Sequence, residues 1–179
     1  QLIKNGFELP LHVSAPLIRI ESSGNYFKKL HLISDVLLGC LRLYGHALIK
    51  IAESEGAISE TLEQSVETLM TKDSHGLWSS TIAKLIQELD RQKSANLSPE
   101  IATLFGVTIK SMKQSSIQRL TVRNMVIDGK GQKQQVDVTN TPMELLINFR
   151  NKYVGHGTVY SEAESKKIYE TYEPILEAF

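Results

Sequence analysis

Cysteine is almost absent from this chain of 179 residues, which contains only Cys40. A single cysteine excludes an internal disulfide and excludes zinc sites built from cysteine clusters. Cys40 stands in an apolar run, which predicts a buried thiol. A reducing, cytoplasmic setting is compatible with so little cysteine.

Long apolar runs and surplus charge are also missing. No uninterrupted stretch of about 18 apolar residues occurs and no signal peptide is visible, so we expect no membrane span. The 20 basic and 20 acidic residues cancel, so the molecule as a whole is not built to attract polyanions. The sequence lacks an initiator methionine and ends within a helical pattern, and we therefore expect it to be a piece of a longer protein.

Common signatures of catalysis and cofactor binding are absent as well. The five histidines show no metal-ligand spacing. There is neither a glycine-rich phosphate loop nor a Gly-x-Ser-x-Gly nucleophile elbow. The sequence therefore predicts no metal and no cofactor.

Helical periodicity covers most of what is present. Apolar residues three and four apart predict a long helix over residues 25–55, with an apolar band broad enough for the centre of a bundle. Further helices are predicted at 58–69, at 77–92 and after Ser98-Pro99-Glu100, and the last of these can resume over residues 109–120. Residues 1–24 are predicted to form an extended or irregular arm on the bundle, with a short helix near residues 16–20 as an option.

Residues 121–140 are the least helical part. Two β-leaning runs flank a turn signal at Asp128-Gly129-Lys130-Gly131, which favours either a β-hairpin or a long mobile loop. The predicted fold is therefore an all-α bundle of five or six helices with a long central helix and a polar loop or hairpin insert near residues 121–140. The bundle is expected to span residues 25–179 as one domain.

The most informative segment lies at the end of a strongly signalled helix. Thr141-Pro142-Met143-Glu144 combines a cap residue, a first-turn proline and a glutamate three positions after the cap, which predicts a helix start. That helix carries Arg150 and Asn151, and His156 follows between two glycines. An arginine can bind a phosphate through two parallel hydrogen bonds, and a histidine transfers protons near neutral pH.

These residue types suffice for RNA cleavage without a metal. The RNA 2′-hydroxyl attacks the adjacent phosphorus, a base takes its proton, and an acid protonates the leaving 5′-oxygen. His156 can serve as base or acid, Arg150 can stabilise the phosphate charge, and Asn151 can hold either side chain or contact the phosphate. The products would be a 2′,3′-cyclic phosphate and a 5′-hydroxyl.

The spacing of the two side chains raises a geometric difficulty. Six steps of about 100° leave Arg150 and His156 about 120° apart around an ideal α-helix. One answer is that Gly155 and Gly157 break the helix and let His156 turn back. The other is a two-fold dimer packed along this helix, which would bring both pairs to one cleft.

A purely structural role is the alternative for the same residues. Ser161-Glu162-Ala163-Glu164 is a second capping box, which predicts a last helix after the motif. Arg150 could pair with Glu144 or with an acid of that last helix, and His156 could cap carbonyl groups at the end of its own helix. Tyr153 and Tyr160 could stack on a base, although packing in the bundle or a dimer is the ordinary role for such residues. Lys152 and Tyr153 are included among the candidate RNA contacts.

A basic tract precedes the motif. Between residues 110 and 133, six basic residues face one acid, Asp128, which gives 6 − 1 = +5. The tract predicts either contacts to an RNA backbone or an ordinary solvated loop. Its basic members are Lys110, Lys113, Arg119, Arg123, Lys130 and Lys133.

One stretch resembles the signature of the HEPN superfamily, which is an arginine, commonly a polar residue after it, and a histidine four to six residues beyond. Gly155, the residue before the histidine, departs mildly from that pattern, because alanine is frequent at this position. The insert at residues 121–140 matches no part of the pattern. The matching segment is Leu146-Ile147-Asn148-Phe149-Arg150-Asn151-Lys152-Tyr153-Val154-Gly155-His156-Gly157.

The resemblance implies a HEPN-like helical bundle that forms a homodimer, with Arg150, His156 and Asn151 as catalytic residues. Many members are metal-independent endoribonucleases of bacterial toxin–antitoxin and antiviral defence systems, so RNA and an antitoxin are the implied partners. The alternative is a non-catalytic module that binds a nucleotide or RNA, or dimerises, and so regulates a larger multidomain protein. A third reading is a helical adaptor without any nucleic-acid role.

Overall fold

The computed structural model describes residues 10–110, 117–127, 132–155 and 159–178. Within these ranges the chain forms seven α-helices, one π-helical turn and one two-stranded antiparallel sheet. The elements in chain order are α1 Leu11–Ser22, α2 Tyr26–Ser54, α3 Glu60–Thr71, α4 His75–Arg91, α5 Pro99–Leu104, β1 Leu120–Ile127, β2 Lys133–Asn140, α6 Pro142–Phe149, the π-helical turn Arg150–Val154, and α7 Glu162–Ala178.

Helix α2 is the centre of the bundle, as its broad apolar band predicts. It packs against α1, α4 and α7, and more lightly against α6 and the π-helical turn. Asn25 begins the helix by accepting a hydrogen bond from the backbone N–H of Lys28 at 2.7 Å, which satisfies one of the free donors of the first turn. Cys40 is 6% exposed, so the predicted buried thiol is confirmed, and burial raises its pKa to about 12.

By length and composition alone, α2 is the one helix in the described ranges that could cross a membrane. Sixty-one percent of its most apolar 18-residue window is buried inside the protein. Such burial is the property of a central bundle helix, whose apolar surface is already covered by neighbouring helices.

The contact between α2 and α4 is unusually close at one point. Gly45 of α2 faces the indole ring of Trp78, and a Cβ atom at this glycine would overlap the ring. The indole N–H of Trp78 donates to Asp73 at 2.7 Å, and Asp73 also pairs with Arg42 of α2. Both contacts fix the N-terminal end of α4 against α2.

The insert is a β-hairpin, so the alternative of a long loop is wrong for its described residues. β1 and β2 pair in an unbroken register from Leu120 opposite Asn140 to Ile127 opposite Lys133. Because successive side chains of a strand point to opposite faces, Val122 and Asn124 are buried while Thr121 and Arg123 are exposed. β1 packs its buried face against α7.

Two segments differ from the sequence prediction. Residues 11–22 form a regular helix, longer than the short one expected near residues 16–20, because Val13, Leu17 and Ile20 recur at helical spacing and are buried in the core. The expected continuation over residues 109–120 is wrong where it is described, since 107–109 and 117–119 are not helical and 120 begins β1. The seven α-helices thus exceed the predicted five or six; residues 1–9 of the arm and 111–116 lie outside the described residues.

Candidate active site

Helix α6 carries the Arg150 segment and is anchored at both ends. The predicted capping box is confirmed: Thr141 Oγ1 accepts from the backbone N–H of Glu144, and the Glu144 carboxylate accepts from the N–H of Thr141, each at 3.4 Å. One face of the helix is fully buried in the core, with Leu145 and Phe149 at 0% exposure. The anchored helix therefore fixes the direction in which the following turn leaves the core.

That turn is a π-helix rather than a continuation of the α-helix. Over Arg150–Val154 the backbone bonds run from i+5 to i, and the N–H of Gly155 donates to the carbonyl of Arg150 at 2.7 Å. Gly155 and Gly157 are the two places where the sequence predicts a break in the helix. The helix ends at the first of them, but its last turn is π-helical rather than α-helical. Single π-helical turns are rare in proteins, but those that occur are often found at functional sites.

The Arg150 side chain lies over this turn, partly exposed to solvent. Its Nη1 donates to the side-chain oxygen of Asn151 at 3.1 Å and lies 3.0 Å from the position that a Cβ on Gly155 would occupy. Among the described residues no carboxylate pairs with Arg150, and Glu144 is instead engaged in its capping box. The ion pair proposed as the structural alternative is therefore not found in the described part of the chain.

His156 lies outside the described residues, as do Gly157 and Thr158. The neighbouring residue, Gly155, is described: its N–H donates to the Arg150 carbonyl, and the Arg150 guanidinium lies where a side chain on Gly155 would begin. Where the imidazole lies relative to the guanidinium stays a prediction.

Four aromatic rings form a cluster behind the turn. The Tyr153 ring lies 5.8 Å from Phe149, 5.9 Å from Tyr160 and 5.9 Å from Tyr172, measured between centroids. Burial raises the pKa of both the Tyr153 and the Tyr172 hydroxyl, so both remain protonated and can donate. Tyr153 is therefore a packing residue of the bundle in this structure, although it was also a candidate RNA contact.

Asn124 of β1 joins this cluster to the hairpin. Its side-chain oxygen accepts from the hydroxyl of Tyr172 at 2.9 Å and from that of Tyr153 at 3.4 Å. Asn124 is 7% exposed, and a buried amide needs such partners because an unbonded polar group is costly to bury. The hairpin is thereby held against the turn that carries Arg150.

A shallow cleft of about 480 Å³ opens between the hairpin and the end of α6, lined by Asn124, Val138, Asn148, Asn151 and Lys152. Asn151 links the cleft to Arg150 through the hydrogen bond described above. Lys152 is partly buried, with its ammonium 5.0 Å from the centroid of the Tyr153 ring, and desolvation by burial lowers its pKa. The cleft is thus lined by three amides and one cation, and it adjoins the guanidinium.

The basic tract is less charged than its sequence count indicates. Arg123 donates to Asp137 at 2.9 Å across the hairpin, so an acid beyond the counted segment compensates its charge. Lys110 and Arg119 are exposed. Lys113 and Lys130 lie outside the described residues, and so does the side chain of Lys133.

His75 is a neighbour of this region that sequence reasoning missed, since the predicted helix begins only at residue 77. It is the first residue of α4 and is 8% exposed, with its Nε2 at 3.1 Å from the carbonyl oxygen of Ser34. Burial lowers the pKa of His75; the Ser34 carbonyl opposes this shift, and the charge of Arg150 adds to it. Arg150 is therefore within electrostatic reach of His75, although no sequence signal connects the two.

In the described ranges, no group of three or more His, Cys, Asp and Glu side chains is arranged to hold a metal ion. No protein-family model, curated protein or solved structure matches this chain. The assignment of function therefore depends on the motif and on the geometry around Arg150.

Proposed function

We propose that this chain is a metal-independent endoribonuclease domain of the HEPN type. Arg150 binds the scissile phosphate, Asn151 holds the guanidinium, and His156 transfers a proton. The single observation that carries the proposal is the hydrogen-bond partner of the Arg150 side chain. Among the described residues, that partner is the neutral side-chain amide of Asn151. A guanidinium that no carboxylate neutralises keeps its full charge for a phosphate.

The π-helical turn brings the residue before His156 close to Arg150. On an α-helix the two side chains would stand about 120° apart. The i+5 bond from Gly155 to Arg150 instead brings residue 155 over residue 150, so the residue that precedes His156 is on the same side as the guanidinium. His156 is one step further along, outside the described residues, so its return to the guanidinium stays part of the proposal.

The reaction assigned to the site is an internal transesterification. The 2′-oxygen forms a bond to phosphorus, and the bond from phosphorus to the 5′-oxygen breaks. One group removes the 2′-hydroxyl proton and another protonates the 5′-oxygen, while Arg150 stabilises the charge that develops on the phosphate oxygens. One histidine supplies one of the two proton transfers, and a homodimer with a composite cleft would supply the second histidine.

The test compares cleavage of RNA in EDTA by the wild type with cleavage by Arg150→Ala and His156→Ala. Matched controls are Arg91→Ala and His31→Ala, because both side chains are exposed on other helices. We expect cleavage with 2′,3′-cyclic phosphate ends in the wild type and in both controls, and none in the two site variants at unchanged thermal stability. Cleavage that survives both site substitutions would rule out the assignment.

The second candidate is a non-catalytic module that binds RNA or a nucleotide, or that dimerises, and so regulates a larger protein. The observation that favours it is the amide-lined cleft beside Arg150, since amides recognise ligands but supply no acid or base. Wild-type protein that binds RNA in a salt-dependent manner without cleaving a broad panel of RNAs would select this function. The third candidate, a helical adaptor, predicts no salt-dependent RNA binding at all.

A further inference from the structure

The cleft between the hairpin and α6 has a recognition chemistry of its own, apart from the phosphate site. Asn124 reaches it from β1, Val138 from β2, and Asn148 and Asn151 from the other wall. Three amides around one opening are suited to a planar ligand that presents hydrogen-bonding groups along an edge, while a valine can contact its face.

Asn124 has a fixed orientation in this cleft. Its oxygen accepts from the hydroxyls of Tyr172 and Tyr153, which uses both lone pairs. Asn124 as a whole residue is 7% exposed, and its amide nitrogen has no hydrogen-bond partner among the described residues. Since Asn124 lines the cleft, the group that it can offer a ligand is the N–H donor.

The opposite wall of the cleft adds a second hydrogen-bond donor and one acceptor. Asn151 already accepts from Arg150, so its amide nitrogen is the atom left for a ligand. Asn148 is exposed at the rim and can present its amide oxygen as an acceptor. The cleft therefore offers donors from Asn124 and Asn151 and an acceptor from Asn148.

We propose that this cleft binds a nucleobase that carries a keto group beside a ring N–H, which means uracil or guanine, next to the phosphate held by Arg150. The keto oxygen accepts from Asn124, and the ring N–H donates to Asn148. Cytosine and adenine carry an amino group in place of the keto oxygen, so two N–H donors would face each other at the fixed amide of Asn124. The choice of an RNA ligand rests on the proposed function; the preference among bases follows from the amides alone.

The test measures binding without cleavage. Labelled hexamers with every 2′-oxygen methylated cannot undergo the reaction, and a single central base is varied within an adenine background. Uracil is compared with cytosine, and guanine with adenine, because each pair matches in size. We expect the wild type to bind the keto member of each pair about tenfold more tightly, which is the discrimination that matched base-edge contacts give.

Asn124→Asp is the decisive variant because it keeps an oxygen for both tyrosines and puts an acceptor in place of the N–H donor. Its added negative charge weakens binding to all four hexamers alike, so the readout is the ratio of affinities within each pair. We expect it to lose or invert the preference for uracil over cytosine, while Arg150→Ala weakens binding to all four hexamers alike. Asn148→Ala provides a second variant on an exposed side chain that the fold tolerates. It should weaken binding to all four hexamers and keep the preference, because the Asn148 amide can turn either its oxygen or its nitrogen to a base.

Each outcome separates the two proposals. Cleavage of ordinary RNA together with equal binding of all four hexamers would overturn the base site and leave the nuclease standing. A keto preference without any cleavage would support the base site and overturn the nuclease. Absence of binding to every hexamer, or a preference unchanged in Asn124→Asp, would overturn the base site.

Discussion

Arg150 folds back over Gly155, with its Nη1 atom 3.0 Å from the place that a Cβ atom would occupy on that glycine. The same glycine donates its N–H to the Arg150 carbonyl at 2.7 Å. Both the side chain and the backbone of Arg150 therefore contact Gly155, five residues later. The size of residue 155 therefore sets the space available to the guanidinium.

Two substitutions at Gly155 should change the position of the Arg150 guanidinium to different degrees without lowering the stability of the fold. Alanine requires the flexible guanidinium end to shift by a few tenths of an ångström, and we expect near-normal RNA cleavage and unchanged or slightly raised thermal stability. Valine adds two methyl groups against the guanidinium. It should lower cleavage by about tenfold or more, since small displacements of a positioning group cost up to about 10²-fold.

The two readouts for this pair are the cleavage rate and the melting temperature. Equal rates for Gly155→Ala and Gly155→Val, at matched stability, would show that contact with residue 155 does not position the guanidinium. The backbone angle at Gly155 is ordinary for a side chain, with φ −73°, so neither variant carries a backbone strain that would confuse the comparison.

His75 should make the fold sensitive to acid. Burial lowers its pKa in the folded state, so the unfolded chain binds the proton more readily. This contribution to the free energy of unfolding is fully present above the unfolded pKa of about 6.5 and is lost as the pH falls through the folded value. We expect the melting temperature to fall below about pH 6.5.

His75→Gln should flatten that dependence, because an amide N–H can still donate to the Ser34 carbonyl but does not titrate. The control is His31→Gln, since His31 is exposed on α2. The charged groups near the ring are Asp73, Arg42 and Arg150, and they are unchanged in both variants. Parallel pH curves for wild type and His75→Gln would contradict the assignment.

Local signals in the sequence were enough to locate most helix starts. Asn25, Ser98 and Thr141 each accept from a backbone N–H of the first turn, and this kind of cap depends only on residues within one turn. Local signals could not decide between a hairpin and a loop for residues 121–140. The pairing of the two strands depends on the burial of Val122 and Asn124 against the rest of the fold.

The site itself was predicted only in part. The side chains of Arg150 and Asn151 are adjacent in sequence, and they are joined by a hydrogen bond. The π-helical turn and the approach of His75 were not predicted, because no local pattern distinguishes an i+5 turn from an α-helix and because His75 reaches this region through the packing of α4 on α2. Contacts between distant segments are beyond periodicity and capping signals.

Gly45 should be essential for the packing of α4 on α2. Alanine at this position would overlap the Trp78 ring, which is 4% exposed and cannot move aside. We expect a loss of about 1–3 kcal/mol or more in the free energy of unfolding, as overpacked cores show. Urea denaturation of the wild type and of Gly45→Ala measures this loss of free energy of unfolding.

The matched control for Gly45→Ala is Gly76→Ala in α4. Nothing lies within 4 Å of a Cβ atom at Gly76, so the better helix propensity of alanine should leave stability unchanged or raise it by up to about 1 kcal/mol. Similar effects of the two substitutions would show that α2 and α4 are not in close contact at Gly45.

The shared acceptor on Asn124 predicts a non-additive effect of its two tyrosine donors. Tyr172 is 1% exposed and donates at 2.9 Å, whereas the Tyr153 bond is 3.4 Å long. Tyr172→Phe should therefore cost about 1 kcal/mol, and Tyr153→Phe should cost less.

Each single substitution leaves the Asn124 oxygen with one hydroxyl donor, but the double substitution removes both. An acceptor buried without a partner costs about 1–3 kcal/mol, so the double variant should lose more stability than the sum of the two single losses. A double-mutant cycle in urea measures this excess. Strict additivity would mean that another donor reaches the oxygen once the tyrosines are gone, and the orientation of the Asn124 amide in the cleft would then no longer be fixed by them.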